Sequence, residues 1–176
     1  MNIIKDAIRT IPDFPIQGIM FRDVTTLFSN PTALNAVIKS IIEYWEYKKI
    51  TAIVGIEARG FITGSIVANH LKLPFIPIRK KGKLPFKTIS QDYDLEYGKA
   101  TIEIHKDALN NQDKVLILDD LIATGGTAIA SINLVKKLEA KVVGCSFIID
   151  LPILEGTKKI QELSIEVQSL CSFDGH

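Results

Sequence analysis

The chain has 176 residues, of which 47% are hydrophobic and 23% charged, a composition that excludes a disordered chain. Its 21 basic and 20 acidic residues give a formal net charge of +1, which argues against a dedicated nucleic-acid binder, because such proteins carry a large basic excess. No run approaches the roughly 18 apolar residues of a membrane span. The N-terminus lacks a signal-peptide pattern, and Cys145 and Cys171 have no paired spacing. We therefore expect one domain over residues 1–176, located in the cytoplasm, without contact to membrane or nucleic acid.

The predicted elements alternate between helices and strands. The first half of the chain predicts a short helix at 3–9, a helix from Asn30-Pro31 to about 48, a strand at 51–56, a helix at 61–71 and a strand at 75–78. Pro77 suggests that this last strand lies at an edge or an end of the sheet. The second half predicts a strand at 115–118, a helix from about 126 to 138 and a strand at 142–149. This alternation is typical of the α/β class, with a mainly parallel central sheet flanked by helices.

The segment between residues 79 and 98 interrupts the alternation with charged residues, hydroxyl-bearing residues, glycine and proline. Two short strands, around 93–97 and 101–104, are expected to form a hairpin across Gly98-Lys99. A long irregular insertion inside a compact domain is usually functional or mobile. In parallel sheets, ligands bind beyond the carboxyl ends of the strands, so the strand ends at Ile56, Leu118 and Ile149 are the places where we expect a site.

Two carboxylates and a glycine-rich loop follow the strand predicted at 115–118. Asp119 and Asp120 come directly after Leu118, and the run Thr124-Gly125-Gly126-Thr127 opens the next helix. Glycine lets backbone N–H groups approach an anion, and a helix N-terminus adds partial positive charge. The alternative is an ordinary turn in which one of the acids caps the helix. We interpret the segment as a phosphate site, hereafter the phosphate loop, formed by Ala123, Thr124, Gly125, Gly126 and Thr127.

The paired acids are predicted to accept hydrogen bonds from the two hydroxyls of a ribose, because like charges keep Asp119 and Asp120 from binding the phosphate itself. Neither a P-loop nor a dinucleotide-binding motif occurs. The combination of apolar strand, acid pair and glycine loop resembles the phosphoribosyl pyrophosphate (PRPP) signature of type I phosphoribosyltransferases. Four further segments, at 21–25, 57–61, 79–85 and 95–98, narrow the resemblance to the adenine phosphoribosyltransferase family. It runs from about Asp13 to the C-terminus.

The resemblance implies a type I phosphoribosyltransferase fold with a flexible loop insertion at about 79–105 and a base-binding N-terminal segment at about 1–28. It also implies a reaction in which PRPP and adenine give AMP and pyrophosphate, a step of purine salvage. The resemblance implies a magnesium ion that is bound to PRPP and not held by a set of protein ligands, since Mg²⁺ keeps its waters and binds phosphates. A homodimer is implied as well.

For pyrophosphate, the resemblance implies the loop after the first strand, formed by Glu57, Ala58, Arg59 and Gly60. Arg59 offers a planar fork that suits phosphate oxygens; the alternative is that Glu57 and Arg59 simply pair at the surface. A basic run follows the strand at 75–78. Taken alone it would indicate a solvated charge run or a nucleic-acid patch. The resemblance assigns Arg79 to the pyrophosphate of the neighbouring subunit, and Lys80 and Lys83 to the same anion.

The resemblance also assigns the residues that contact the base. Glu96 is implied as the general acid–base partner of adenine, and Tyr97 as a shield against water. Adenine would lie between Phe21 and Leu151, with backbone groups of Met20 and Arg22 reading its Watson–Crick edge.

Two other functions stay open from the sequence. The first is the same reaction with an oxo-purine, namely hypoxanthine, guanine or xanthine. Such an enzyme usually offers a lysine and an acid to the base, and no such arrangement occurs near residues 149–151. The second is a PRPP-sensing regulator that binds nucleic acid, but only about twelve residues precede Asp13, too few for a winged helix, and the net charge is +1.

Overall fold

A seven-stranded sheet forms the centre of the molecule in the computed structural model, which describes residues 2–94 and 98–175. The helices are α1 (Ile3–Asp6), α2 (Thr25–Phe28), α3 (Pro31–Trp45), α4 (Gly60–Leu71), α5 (Gly126–Lys137) and α6 (Gly156–Glu162), with a 3-10 turn at Pro152–Leu154. The strands are β1 (Arg9–Pro12), β2 (Met20–Asp23), β3 (Ala52–Ile56), β4 (Phe75–Lys80), β5 (Thr88–Asp94), β6 (Lys99–His105), β7 (Lys114–Ile122), β8 (Lys141–Asp150) and β9 (Glu166–Ser172).

The strand order is β5-β6-β4-β3-β7-β8-β9, and the five strands from β4 to β9 in that order run parallel. Strands β5 and β6 form an antiparallel hairpin that joins the sheet where β6 pairs with the end of β4. A separate two-stranded hairpin, β1 with β2, lies outside this sheet. The predicted α/β class with a mainly parallel sheet is confirmed.

Helices cover both faces of the sheet because its central strands are apolar on both sides. Ile53 and Leu116 pack with α3 and α4 in one core, whereas the next residues along the same strands, Val54 and Ile117, pack with α5 in the other. All four are fully buried, as expected for strands of a parallel sheet that is covered on both faces. No helix in the described ranges is both long enough and apolar enough to cross a membrane.

Helix α3 begins where its cap was predicted. The Asn30 side chain accepts hydrogen bonds from the backbone N–H groups of Thr32, at 3.1 Å, and Ala33, at 3.2 Å. Pro31 occupies the first helical position. The helix ends at Trp45 and not near residue 48. The buried indole N–H of Trp45 donates a hydrogen bond to the side-chain oxygen of Gln168 at 2.8 Å.

Several predicted boundaries are wrong, and each error has a tertiary cause. The helix expected at 3–9 ends at Asp6, because Arg9 pairs as the first residue of β1. The edge suggested by Pro77 holds only locally: β4 lies between β3 and β6 in the strand order, but β6 pairs with it only at Arg79 and Lys80. Proline is compatible with this interior strand because β6 pairs with β4 at Arg79 and Lys80, beyond Pro77.

The insertion after β4 is more regular than the sequence suggested. Its first strand begins at Thr88 and not near residue 93, and the ladder with β6 runs from Thr88 opposite His105 to Asp94 opposite Lys99. From Ile89 to Asp94, half-buried residues alternate with exposed ones along β5. Two elements that the sequence analysis did not predict, α6 and β9, complete the C-terminal part of the fold.

Candidate active site

The carboxyl ends of β3 and β7 lie side by side, since Gly55 is in register with Leu118. The last residues of β7 and the chain segments that follow β3 and β7 enclose a cleft of about 260 Å³. We call it the polar cleft; it is lined by residues 57–59 and 119–128 together with Tyr93 and Phe147. The cleft thus brings together the predicted acid pair, the whole phosphate loop and three of the four residues predicted to hold pyrophosphate in the 57–60 loop.

The phosphate loop turns directly into α5. Gly125 precedes the helix with φ +85°, a left-handed conformation that glycine adopts without steric cost. Helix α5 spans three turns, so its N-terminus presents free N–H groups and partial positive charge to the cleft. This geometry suits an anion and agrees with the predicted phosphate site.

The acid pair belongs to β7 itself, which continues to Ile122, so the expectation that the strand ends before the acids is wrong. Asp119 accepts a hydrogen bond from the backbone N–H of Asp120 at 2.9 Å. Burial and the neighbouring Asp120 carboxylate raise the pKa of Asp119 well above its ordinary value of 3.8. Hydroxyl groups of a ligand that donate hydrogen bonds to this carboxylate would favour its charged form and offset part of that shift.

Asp120 faces Arg59, and the two form a close ion pair across the cleft. The Asp120 side chain is only 6% exposed, whereas that of Arg59 is 52% exposed. Glu57 instead receives Arg79, whose Nε and Nη2 donate to its two carboxylate oxygens at 3.2 and 3.3 Å. The alternative in which Glu57 and Arg59 pair with each other is therefore wrong.

Glu57 is fixed by more than its ion pair. Its carboxylate also accepts from the backbone N–H of Lys80 at 3.0 Å. Although burial acts to raise it, the hydrogen bonds from Arg79 and Lys80 lower the pKa of Glu57 below its usual range. The peptide between Glu57 and Ala58 is cis. Arg79 donates further to the carbonyl of Lys83 at 3.1 Å, so the start of the basic run is tied to the 57–60 loop.

Gly60 brings the N-terminus of α4 against β7. A Cβ at this position would lie 2.4 Å from the carbonyl oxygen of Leu118 and 3.1 Å from the Cα of Asp119. Glycine is thus the residue that lets the 57–60 loop approach the acid pair. Its role is steric and does not require direct contact with a ligand.

A second cavity, of about 440 Å³, adjoins the first. We call it the apolar pocket; it is lined by Pro15, Ile16, Ile19, Met20, Phe21, Arg22, Arg59, Leu121, Leu151 and Leu154. All four residues predicted to contact the base are among them. Phe21 is held at a fixed angle by an edge-to-face contact with Phe14, with ring centroids 5.1 Å apart.

Arg59 and Leu121 line both cavities, so the polar cleft and the apolar pocket are adjacent. Leu121 was not among the predicted site residues, because the strand was predicted to end at Leu118. Extending the strand would have revealed it, since side chains two apart share a face. Tyr93, Ile16 and Leu154 were also missed, and no local motif marks them.

Some predicted site residues are not brought to the cleft. Lys80 and Lys83 are exposed and do not line either cavity in the described part of the chain. Glu96 and Tyr97 lie outside the described residues. Among residues 2–94 and 98–175, no cluster of three or more His, Cys, Asp or Glu side chains could hold a metal ion.

The fold and the site define a phosphoribosyltransferase domain, and the family model described as "Phosphoribosyl transferase domain" matches residues 23–172. The chain is 56% identical over 172 residues to the adenine phosphoribosyltransferase of Dinoroseobacter shibae, covering 98% of this chain and 96% of that one. It is 54% identical over 175 residues to the enzyme of the same name from Shewanella frigidimarina, covering 99% and 96%. The chain therefore belongs to the adenine phosphoribosyltransferase family.

Solved structures agree with this membership. The adenine phosphoribosyltransferase of Rhodothermus marinus superposes with a TM-score of 0.90 at 48% identity, covering 97% of this chain and 96% of that one. The APRTase of Giardia lamblia, solved with 9-deazaadenine, gives a TM-score of 0.92 at 38% identity and covers 98% of both chains. The predicted type I phosphoribosyltransferase fold is confirmed.

Proposed function

We propose that this chain transfers the 5-phosphoribosyl group from PRPP to adenine, forming AMP and pyrophosphate. The observation that carries the proposal is that a polar cleft with a phosphate loop and an apolar pocket lie side by side and share Arg59 and Leu121 in their walls. A sugar phosphate in the cleft and a planar base in the pocket would meet there. The relative from Saccharomyces cerevisiae, 38% identical, was solved with adenine and an imino-altritol bisphosphate.

The reaction breaks the bond between the anomeric carbon and the pyrophosphate oxygen, so positive charge develops on the sugar and negative charge on the leaving group. Electrostatic stabilisation of both is the main demand on the protein. Asp119 and Asp120 would accept the ribose hydroxyls and stabilise the positive sugar, while the phosphate loop holds the 5′-phosphate. Arg59 would exchange Asp120 for pyrophosphate oxygens.

The base would be held between Phe21 and Leu151, with backbone groups of Met20 and Arg22 reading its Watson–Crick edge. Glu96 would take the ring proton of adenine as the new glycosidic bond forms. Tyr97 would exclude water from the reacting carbon. These last two roles rest on family membership.

The carboxylates of the cleft fit a magnesium ion that is carried by the substrate. Asp120 is engaged by Arg59 and Asp119 by the backbone of Asp120, so this pair would accept hydrogen bonds from ribose hydroxyls and is not a dedicated metal cage. When bound, Mg²⁺ would neutralise charge on the diphosphate while keeping most of its waters.

We also propose a homodimer and a cytoplasmic location. Ile62 and Ile66, one turn apart on α4, are each 37% exposed and offer apolar surface to a second copy. Arg79 would have to leave Glu57 in order to reach a neighbouring site. Both cysteines are free and buried, and burial raises the pKa of the Cys145 thiol to about 12, which suits a reducing compartment. Sedimentation equilibrium tests the dimer, and a monomer mass would contradict it.

One assay tests the reaction. Purified protein with PRPP and magnesium is offered adenine, hypoxanthine, guanine and xanthine in turn, and each arm is repeated with EDTA. AMP formation from adenine alone, lost with EDTA, is the expected result. Turnover of an oxo-purine would move the assignment to that base, and no turnover with any base would favour a PRPP-sensing regulator.

The role of Glu96 has a separate test. In Glu96→Ala, kcat should fall at least about tenfold, since general acid–base groups contribute about 10²–10⁴-fold, while the KM values for adenine and PRPP change little. Glu46→Ala, at an exposed position just after α3, is the matched control. Wild-type turnover in the Glu96 variant would remove its catalytic assignment.

A further inference from the structure

Helix α6 packs directly against the back of the phosphate loop, and Gly156 makes the contact. A Cβ at Gly156 would lie 2.2 Å from the carbonyl oxygen of Ala123 and 2.8 Å from the backbone nitrogen of Gly125. A Cβ at Gly125 would in turn lie 3.2 Å from the Cα of Gly156. The two backbones therefore touch without intervening side chains, and the position of α6 limits where the loop can lie.

A charged side chain from the same helix bonds to the same loop. Lys159, one turn after Gly156, donates from Nζ to the carbonyl oxygen of Thr124 at 3.0 Å. The peptide between Thr124 and Gly125 is not among the cis peptides of the described residues, and in a trans peptide the carbonyl and the following N–H point in opposite directions. Holding the Thr124 carbonyl toward Lys159 therefore directs the next N–H away from Lys159.

Lys159 does not line the polar cleft, so its effect on a ligand there is indirect. Its ammonium group polarises the peptide that it bonds, and it adds positive charge behind the N-terminus of α5. Both effects favour an anion held by the loop. Neighbouring Lys158 is different, since its ammonium pairs with Glu155 on the surface at 3.1 Å.

We propose that Gly156 and Lys159 are positioning residues for the 5′-phosphate: α6 braces the phosphate loop sterically through Gly156 and orients its peptides through Lys159. This inference rests on the proposed function, because it assigns a support to the loop that would hold the phosphate of PRPP. It extends the site to an element that the sequence analysis did not predict. Neither residue is expected to touch the substrate.

The test compares Lys159→Met with Lys159→Arg and with Lys158→Met as the matched control on the same helix. Isothermal titration with ribose 5-phosphate and steady-state KM values for PRPP and adenine are measured for each. In Lys159→Met, binding of ribose 5-phosphate and PRPP should weaken about three- to tenfold, as for one exposed charge-assisted contact. The KM for adenine and the Tm should not change, Lys159→Arg should restore binding, and Lys158→Met should match the wild type.

Gly156→Ala provides the steric arm and should weaken ribose 5-phosphate binding by more than about tenfold, because the loop must shift to admit the methyl group. Since this variant could fail to fold, the lysine pair decides the question alone. Wild-type phosphate binding in Lys159→Met, or an equal loss of adenine and phosphate binding, would overturn the inference. If the wild-type protein itself neither binds ribose 5-phosphate nor forms AMP, the proposed function falls and the inference falls with it.

Discussion

The polar cleft and the apolar pocket meet at Arg59 and Leu121, yet they are built in different ways. The cleft is made almost entirely by two short segments at the carboxyl ends of adjacent parallel strands, residues 57–59 after β3 and residues 119–128 at the end of β7 and beyond it. The pocket draws on β2 and the loop before it, on single residues of β7 and the 57–60 loop, and on the segment after β8. The sugar phosphate would thus be recognised by local backbone geometry, and the base by side chains that only the fold brings together.

The two cavities also differ in what holds them in shape. In the cleft, close backbone contacts and buried charges leave little freedom, as at Gly60 and Asp120. In the pocket, apolar side chains stay accessible, with Ile16 58% and Met20 39% exposed. Small changes should therefore damage the cleft severely and the pocket only in proportion to the apolar contact that is lost.

The largest effect is expected at Gly60. In Gly60→Ala the new methyl group would meet the Leu118 carbonyl at 2.4 Å, so α4 and the 57–60 loop must move away from Asp119. A shift of about 1 Å at a site can reduce activity about 100-fold, and we expect a loss of that order in kcat/KM for PRPP. Ser65→Ala, on the exposed side of the same helix, is the control. Full activity in the Gly60 variant would mean that the cleft is not sterically limited.

Asp119→Asn should weaken the binding of ribose 5-phosphate and at the same time make the folded protein more stable. Loss of the ionisable carboxylate should weaken ribose 5-phosphate binding about tenfold, the scale of one hydrogen bond to a charged group. Asparagine keeps an oxygen for the Asp120 N–H and removes the buried charge. The variant should therefore unfold at a higher temperature at pH 7, by about 1 kcal/mol or roughly 2–4 °C.

The pH dependence of unfolding checks the cause of that gain. The folded state holds the Asp119 proton to higher pH than the unfolded chain does, because burial and Asp120 raise its pKa above 3.8. Between pH 3.8 and the higher pKa of the folded state, the folded protein binds more protons than the unfolded chain does. The wild-type free energy of unfolding therefore falls as the pH rises through this range. The Asp119→Asn variant should lose this part of the pH dependence, whereas Asp107→Asn, at an exposed site, should keep it. Identical pH profiles in wild type and Asp119→Asn would contradict the assignment.

Phe21→Ala tests the base side of the comparison. Removing the ring from the wall of the apolar pocket should raise the KM for adenine about tenfold, since an aromatic contact and its buried area are worth about 1–2 kcal/mol. The KM for PRPP should change less than twofold, because Phe21 does not line the polar cleft. Steady-state kinetics with each substrate varied in turn measures both. Equal changes in the two constants would show that the cavities do not act separately.

The smallest effect is expected at Phe173, which does not line the apolar pocket but contacts Arg22, one of the residues that do. Its ring lies 4.4 Å from the Arg22 guanidinium, and its backbone N–H donates to the Asp150 carbonyl at 3.1 Å, next to Leu151. Phe173→Ala should raise the KM for adenine about threefold, the scale of one exposed cation–π contact. Phe86→Ala, 59% exposed and remote from both cavities, serves as the control. An unchanged KM for adenine would show that only the residues lining the apolar pocket affect adenine binding.

The difference between the cavities also explains which features could be located from sequence. The cap at Asn30 is confirmed, and the acid pair and the glycine-rich loop lie together in one cleft. Each depends on residues within a few positions of one another, so their spacing carries the information. Leu121 was missed for the opposite reason: β7 continues past the acids because β8 pairs with it as far as Ile122 opposite Asp150. The hairpin after β4 was misplaced because cross-strand pairing with β6 sets its start at Thr88.

By itself, the sequence determined the α/β class, the phosphate loop with its acid pair, and the membership in a family that handles PRPP. Tertiary structure decided which charges meet, pairing Arg59 with Asp120 and Arg79 with Glu57. It also joined the hairpin of β1 and β2 to Leu151 as one pocket, and set α6 behind the phosphate loop. The physical reason is range: turns and caps are stabilised by neighbours in the chain, whereas ion pairs and pocket walls depend on strand order and register.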